Sequence, residues 1–480
     1  MSLQRAESPQ TSYHPLPHDS DSRTSIDDLA TEQLVLHPPS PLVDARVRWI
    51  HFIMGCAVLL PWNVIITATP FFLSRLVGSP IKSTFASYLS TSFNAANFIF
   101  LAHATATTKH TIPSRQIRIA IIWLIVLTSL LTFSTFIVPS SGVFTVFVLF
   151  NGAAQATAGA YLQTSVIAVA SLFGPPAVQA MMSGQAAVAV AVSGVQVLSA
   201  AASVHGRPST YVSDGSPEER SAFIFLLLST IFLIFSAMTY GWLVKTPVYA
   251  RVAAPLEQLP RKILDEDANS SERIGLVSSR RTGLSDEKAD AIRVAKANVI
   301  YEVAVAYVFV ITLAVYPAIT TSIQSTNPDI HPLLFSSIHF LVFNIGDFLG
   351  RYICSYPIFL IWSAKRLLTL SVARTLFIPV FLMCNVQRPS IVPSPPVISS
   401  NFFYMAILFA FGWSNGYVSS LCMMSAPSLE HNPRLRGRVE DVDIAATIAS
   451  FCLVGGLALG SIASFAVRAA ICNCNPFTTH

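Results

Sequence analysis

FNIGDFLGR, residues 343–351, is the stretch that decides how this chain folds, because it sets an acid and a base inside an otherwise apolar run. Asp347 and Arg351 are four residues apart, so on a helix they share one face and can pair, and Asn344 lies on the same side. An ionisable residue near the centre of a bilayer costs roughly 2.5–3.5 kcal/mol, so this face is not expected to meet lipid. The stretch therefore predicts a membrane helix whose polar face lines a bundle or a water-filled path.

Composition places the whole chain in a membrane. Its 480 residues are 52% hydrophobic and only 11% charged, with a mean hydropathy of +0.57, whereas soluble proteins carry roughly 25% charged residues. The net charge of +5 is small and lies mostly in loops, which favours membrane topology and gives no support to nucleic-acid binding. A lipid bilayer is the expected partner, and nucleic acid is not.

Apolar runs near the ~20 residues that a helix needs to cross a bilayer occur along the chain from residue 49 onward. We count eleven, at about 49–74, 84–106, 117–138, 143–171, 176–204, 221–244, 298–322, 333–356, 367–385, 401–426 and 444–467. The fold class predicted is all-α: a polytopic membrane protein with eleven transmembrane helices.

Polar segments divide these helices into six and five. Residues 1–45 predict a disordered cytosolic tail, 46–244 an N-lobe with helices 1–6, 245–297 a cytosolic linker loop, 298–470 a C-lobe with helices 7–11, and 471–480 a C-terminal tail. Lys and Arg concentrate in the loops on the side of the N-terminus, which places that terminus in the cytosol. This arrangement is typical of a major-facilitator-like, two-lobed bundle that lacks its last helix.

Other side chains within the runs are candidates for a substrate path. Trp62 follows Pro61 at mid-depth of the first run, where its indole offers a stacking surface for a planar ring, although tryptophan also anchors helices at membrane interfaces. Gln163 carries both a donor and an acceptor, as reading the edge of a base requires, but a hydrogen bond between helices would also use them. Pro317, which follows Tyr316, weakens the seventh helix near its outer end, where a gate would flex.

Two further charges lie within the runs. Glu302 is close to the inner end of the seventh helix and is expected to be solvated or to reach the interface. Arg374 in the ninth helix is expected to pair with Asp347 or with backbone carbonyls of a neighbouring helix, in a structural role.

The chain carries no pattern of a soluble enzyme. It has no phosphate-binding loop, no HExxH or GxSxG motif, and no Cys/His set at metal-binding spacing. We therefore expect no catalytic residue, no metal and no cofactor. A receptor or scaffold would carry a conspicuous folded loop domain, which the sequence does not predict.

The chain contains the motifs LPWN at 60–63, GAYLQ at 159–163, MSGQ at 182–185, FNIGDFLGR at 343–351, SNGY at 414–417 and GLALG at 456–460. Taken together and in this order, they resemble motifs of the equilibrative nucleoside transporter family, in particular its fungal members. The resemblance implies eleven helices in a major-facilitator-like fold, a cytosolic N-terminus, and facilitated passage of nucleosides and sometimes nucleobases.

The resemblance also implies roles for individual residues. Gln163 would read the base, Asp347 and Arg351 would hold the ribose hydroxyls, and Trp62 and Asn344 would complete the substrate cavity. An outer gate would include Pro317 and Ile66. The sequence departs from the family at Ile66, where some relatives carry a methionine, and at Gly346, where many carry a bulky residue.

The expected function is uniport of nucleosides of the uridine and adenosine class by alternating access. Arg351 beside Asp347 is expected to hold the acid ionised, which favours uniport over proton-coupled symport. Proton-coupled nucleoside or nucleobase symport stays open as an alternative, as does a facilitator of another small polar solute such as a sugar. We expect a monomer in the plasma membrane or in the vacuolar or lysosomal membrane.

Overall fold

Apolar helices make up most of the computed structural model. The structure describes residues 44–76, 85–107, 111–205, 216–253, 257, 276–316, 319–320, 323–386 and 396–472. Nearly all of the predicted tail at 1–45, residues 254–256 and 258–275 of the predicted loop at 245–297, most of the tail at 471–480, and Pro317 lie outside these residues.

The helices are numbered α1 to α13 in chain order. They are α1 (Ala45–Thr67), α2 (Thr69–Ser74), α3 (Phe85–Ala106), α4 (Pro113–Ser134), α5 (Ser141–Leu172), α6 (Pro175–His205), α7 (Ser216–Val244), α8 (Leu276–Val315), α9 (Pro332–Ile353), α10 (Ala364–Ala373), α11 (Phe377–Leu382), α12 (Asn401–Ser425) and α13 (Val442–Cys472). Short 3-10 turns include Arg374–Leu376 and Val439–Asp441.

Each of the eleven predicted runs coincides with a helix or with a broken pair of helices. The first run is α1 followed by α2, and the ninth is α10 and α11 joined through the turn Arg374–Leu376. Among the described residues, seven helical segments are long and apolar enough to cross a membrane by length and composition alone. The prediction of an all-helical, polytopic membrane fold is confirmed.

One boundary differs from the prediction. Helix α8 begins at Leu276 and so extends into the stretch 245–297 that was predicted to be a flexible linker. Residues 286–297 are rich in Ala and Lys, which favour helix, and Val294 of this stretch is buried in a cluster with Leu435 and Ile444. Arg293 also donates to Asp441 at 2.8 Å, which ties this part of α8 to the turn before α13.

The two halves of the chain repeat one pattern of helix pairing. In the N-terminal half (α1–α7) the closest pairs are α1 with α6 and α3 with α5. In the C-terminal half (α8–α13) they are α8 with α13 and α9 with α12. Counted as spans, the first pairs with the fifth and the second with the fourth in each half, as two related lobes would pair.

Glycines let α9 and α12 approach until their backbones touch. A Cβ on Gly350 would collide with the carbonyl oxygen of Trp413, and a Cβ on Gly416 would collide with that of Asp347. Small residues allow such close approach between membrane helices. This contact holds the polar stretch of α9 directly against α12. Contacts between the halves are made chiefly by α6 with α9 and by α5 with α13.

Candidate functional site

Asp347 and Arg351 form a buried ion pair on α9. Arg351 Nε donates to Asp347 Oδ2 at 2.9 Å, and only 8% and 9% of the Arg351 and Asp347 side chains are exposed. The spacing of four residues brings the two groups together along one face of the helix. Because their cost in lipid is high, the pair is stable only with further polar partners in the bundle.

Those partners come from two other helices of the same half. Asp347 Oδ1 accepts from Asn415 Nδ2 of α12 at 2.6 Å. Asn415 Oδ1 lies 2.7 Å from Thr312 Oγ1 of α8. Both oxygens of the carboxylate are therefore hydrogen-bonded.

Arg374 joins this network from the other side. Its guanidinium donates to Thr312 Oγ1 and to Ser414 Oγ, each at 2.7 Å, and to the carbonyl oxygen of Phe411 at 3.3 Å. The same group lies 4.7 Å from the centroid of the Phe411 ring. Arg374 thus reaches Asp347 through intervening polar side chains and bonds a backbone carbonyl, so its contacts are those of the structural role that the sequence predicted. We call Asp347, Arg351, Asn415, Thr312 and Arg374 the charge network.

The charge network lies where the two halves of the chain meet. Arg351 Nη1 donates to the carbonyl oxygen of Met182 on α6 at 3.3 Å. Gln179 Nε2, also on α6, donates to the carbonyl oxygen of Arg351 at 3.1 Å. One turn before Asp347, Asn344 Nδ2 donates to Ser193 Oγ at 3.1 Å. The polar face of α9 therefore spans the junction between the halves.

Gln163 makes a second polar contact across the same junction. Its amide Nε2 donates to Ser450 Oγ of α13 at 2.9 Å. Beside it, the rings of Phe98 on α3 and Phe451 on α13 stack with centroids 5.6 Å apart. A bond between helices, which was one of the two roles left open for Gln163, is present in this conformation.

Trp62 lies apart from these groups. Its half-buried indole packs against Phe93 of α3 with centroids 4.8 Å apart. Ile66, one turn further along α1, is 37% exposed. In the described part of the chain, a hydrogen bond joins Asp347 to Arg351, and both Asn344 and Arg351 bond α6, but no hydrogen bond or ring contact joins Trp62 or Gln163 to these residues.

Glu302 is not solvated, contrary to expectation. The residue is only 7% exposed, and its Oε1 has no hydrogen-bond partner among the described residues. The prediction was wrong because α13 packs closely along α8, and packing between helices decides which side chains are buried.

Two members of the charge network were missed as functional residues. Asn415 belongs to the SNGY motif at 414–417, but the motif does not show which residue its side chain would bond. Thr312 gave no signal, because threonine in a membrane helix commonly bonds its own backbone, as Thr312 Oγ1 also does toward Val308.

Comparison with known proteins identifies the chain. The sequence model described as "Nucleoside transporter" matches residues 149–469, which is more than half of the chain. The chain belongs to this nucleoside transporter family. As a family member it is an integral, multi-pass membrane protein that transports nucleosides, and it is not an enzyme, as the sequence predicted. The matched region includes every predicted site residue except Trp62 and Ile66.

Individual proteins are also similar to the chain. Equilibrative nucleoside transporter 1 of Rattus norvegicus is 25% identical over 481 residues, which cover 91% of this chain and 99% of the relative. Equilibrative nucleoside transporter 2 of Homo sapiens is 36% identical over 169 residues, which cover 34% of each chain. Among solved structures, the Escherichia coli fucose:proton symporter aligns with 89% of this chain and 94% of its own, at 12% identity and a TM-score of 0.48.

Proposed function

We propose that this nucleoside transporter works as a uniporter by alternating access, with Asp347 and Arg351 of the charge network as its ribose site. One observation carries the proposal: an ion pair buried in an apolar bundle lies at the junction of the two halves and contacts both of them. Alternating access in two-lobed transporters moves one half against the other around a site at this position.

The hydrogen-bonding pattern suits a ribose. A sugar hydroxyl both donates and accepts, so a carboxylate and a guanidinium side by side can bind a pair of neighbouring hydroxyls. Asp347 accepts a hydrogen bond from Asn415 of its own half, whereas Arg351 also donates one to the carbonyl oxygen of Met182 in the other half. A nucleoside that entered between the halves would take over that donor and leave the ion pair in place.

Gln163 and Trp62 supply the proposed contacts to the base. The Gln163 amide, which donates to Ser450 in this conformation, has the donor and the acceptor that a base edge needs. Trp62 offers a half-exposed ring for stacking. Asn344 completes the cavity, and Ile66 and Pro317 form the outer gate. Support for this arrangement comes from the family resemblance and from the placement of Gln163 and Asn344 at the junction.

A competition assay tests the substrate class. The purified protein is reconstituted into vesicles, and uptake of labelled uridine and adenosine is measured against unlabelled nucleosides, nucleobases and sugars. We expect nucleosides to compete and sugars to have no effect. Competition by glucose or fucose at similar concentration, without competition by nucleosides, would reject the ribose site and favour a sugar facilitator.

Proton-coupled symport is a second candidate, and Glu302 favours it. An uncompensated buried charge costs several kcal/mol, so a carboxyl oxygen without a partner marks a place where a proton could be carried. Asp347, by contrast, accepts hydrogen bonds at both oxygens.

Uptake into vesicles with and without an imposed proton gradient separates the two candidates. Uniport predicts that the gradient has no effect and that Glu302→Gln transports like the wild type. Symport through Glu302 predicts gradient-driven accumulation that Glu302→Gln abolishes, and that pair of results would replace uniport.

The remaining features of the proposal concern placement. The N-terminus is assigned to the cytosol from the Lys and Arg distribution. The fungal type, the monomeric state and a plasma or vacuolar membrane are proposed from the family resemblance. An antibody that binds an N-terminal tag in intact, unpermeabilised cells would place the N-terminus outside the cytosol and contradict this assignment.

A further inference from the structure

A large groove lies between α3, α4 and α5 on the outer face of the bundle. It has a volume of about 870 Å³, within the size range of pockets that bind small molecules. Small residues of α5 form its floor, and larger residues of α3 and α4 form its walls. The residues used below are Phe100, Ile119, Trp123, Ala153, Ala154 and Tyr161.

The groove faces the surroundings of the protein and not its junction. The wall side chains of Ile119 and Trp123 are 45% and 57% exposed. Tyr161 lies in the groove, whereas Gln163, two residues later on α5, bonds Ser450 of the C-terminal half. In a membrane-spanning protein, an exposed apolar groove on this side opens to lipid.

One end of the groove is polar. Arg115 and Gln116 of α4 line the end beside the α3–α4 connection. Near this end, Tyr161 Oη lies 2.8 Å from His103 Nδ1 of α3. The guanidinium of Arg115 is exposed and makes no hydrogen bond or ion pair with the described residues. The rest of the groove is lined almost entirely by apolar side chains, so its shape and polarity match an amphiphile with an anionic head.

We propose that this groove binds a phospholipid, with the phosphate at Arg115 and an acyl chain along Ala153 and Ala154. The guanidinium can donate two parallel hydrogen bonds to a phosphate, which distinguishes this occupant from a sterol. In the proposed orientation the polar end lies at the cytosolic leaflet, where anionic lipids attract basic side chains. The lipid is therefore of the phosphatidylserine type.

Native mass spectrometry of the full-length protein tests this directly. Protein is extracted from vesicles of phosphatidylcholine and phosphatidylserine, with a sterol added in a second preparation, and bound lipid is counted. We expect the wild type to retain phosphatidylserine about fivefold over phosphatidylcholine, the preference that one basic residue gives near an anionic leaflet. Ala154→Trp should lose the lipid because the indole fills the floor, and Arg115→Gln should keep a lipid but lose the preference.

Matched controls separate the groove from general surface effects. Arg118→Gln removes a neighbouring cation that bonds the Ser114 carbonyl of its own helix, and Leu228→Trp adds an indole at an exposed site on α7. Neither should change lipid retention. If Ala154→Trp fails to fold, Ala154→Leu narrows the same floor with less volume and should weaken retention.

Three results would overturn the proposal. They are retention that both Ala154 variants leave unchanged, a sterol bound in place of phospholipid, and a lipid preference that survives Arg115→Gln. Retention is measured without any transport step, so its outcome is independent of the ribose site.

Discussion

Contacts within each half and contacts between the halves use different groups: backbone against glycine in the first case, and side-chain hydrogen bonds in the second. In the C-terminal half, Gly346 and Gly350 of α9 face the backbone of α12, and Gly412 and Gly416 of α12 face the backbone of α9. Between the halves, contacts include single hydrogen bonds, such as Gln163 to Ser450 and Asn344 to Ser193. One interface is closed backbone against backbone, and the other is bridged by exchangeable polar groups.

This difference indicates which surfaces move. Close-packed backbones cannot slide without steric collision, so α9 and α12 are expected to move as one body. A neutral hydrogen bond contributes only about 0.5–1.5 kcal/mol net, so substrate or water can replace the bonds at the junction. Rigid halves around an exchangeable junction are what alternating access requires.

The largest effect is expected from filling a backbone contact. Gly416→Val and Gly456→Val should lose folded protein, because a Cβ would collide with the backbone carbonyl oxygen of Asp347 or of Ala306, and that backbone cannot move aside without separating the two helices. Gly455→Val is the matched control, since a Cβ on Gly455 meets nothing within 4 Å. Thermal unfolding in detergent gives the comparison. Equal stability of Gly455→Val and Gly456→Val would contradict the rigid-half interpretation.

Removing one member of the ion pair should abolish transport. Asp347→Ala and Arg351→Ala each leave a buried charge without its partner, a change that costs about 3–5 kcal/mol, and each removes a proposed ribose contact. We expect no uridine uptake while protein still reaches its membrane. Glu219→Gln is the control, because it breaks the ion pair of Glu219 with Arg75 away from the junction. Wild-type uptake in both alanine variants would reject the ribose site.

The two buried arginines should respond differently to lysine. Arg351→Lys keeps a charge beside Asp347 but alters the donor offered to ribose, so we expect KM to rise. Arg374→Lys loses at least one of the hydrogen bonds that the guanidinium donates to Thr312 and Ser414. We therefore expect the free energy of unfolding to fall by about 1.5–3 kcal/mol, the contribution of a charged hydrogen bond, with KM unchanged. Measuring KM and unfolding temperature for both variants tests this. If KM changed only in Arg374→Lys, then Arg374 would be the substrate-binding arginine and Arg351 the structural one.

The smallest effects are expected at the junction itself. Ser450→Ala frees the Gln163 amide and should lower KM for nucleosides slightly, within about tenfold of the wild type as befits one neutral hydrogen bond. Gln163→Ala should raise KM and weaken discrimination between nucleosides that differ in the base edge. Gln155→Ala, which removes a bond to Asn151 inside the N-terminal half, is the control. Identical KM values for Ser450→Ala, Gln163→Ala and wild type would remove Gln163 from the site.

Sequence reasoning reached the helices and the ion pair for local reasons. A run of apolar residues of the right length predicts a span wherever it lies, and the spacing of Asp347 and Arg351 on one helix sets their separation. It failed at Glu302, because the burial of that residue depends on how α13 packs along α8, which spacing along one helix does not predict.

The amino-acid sequence by itself determined the membrane class, the order of spans and the pairing of Asp347 with Arg351, since each follows from composition or from short spacing along one helix. Its motifs, separately, carried the resemblance to nucleoside transporters. Only the tertiary structure decided that Asn415, Thr312 and Arg374 complete the network and that Gln163 meets Ser450. These partners lie on different helices, far apart in the chain, and their meeting depends on how closely the helix backbones pack.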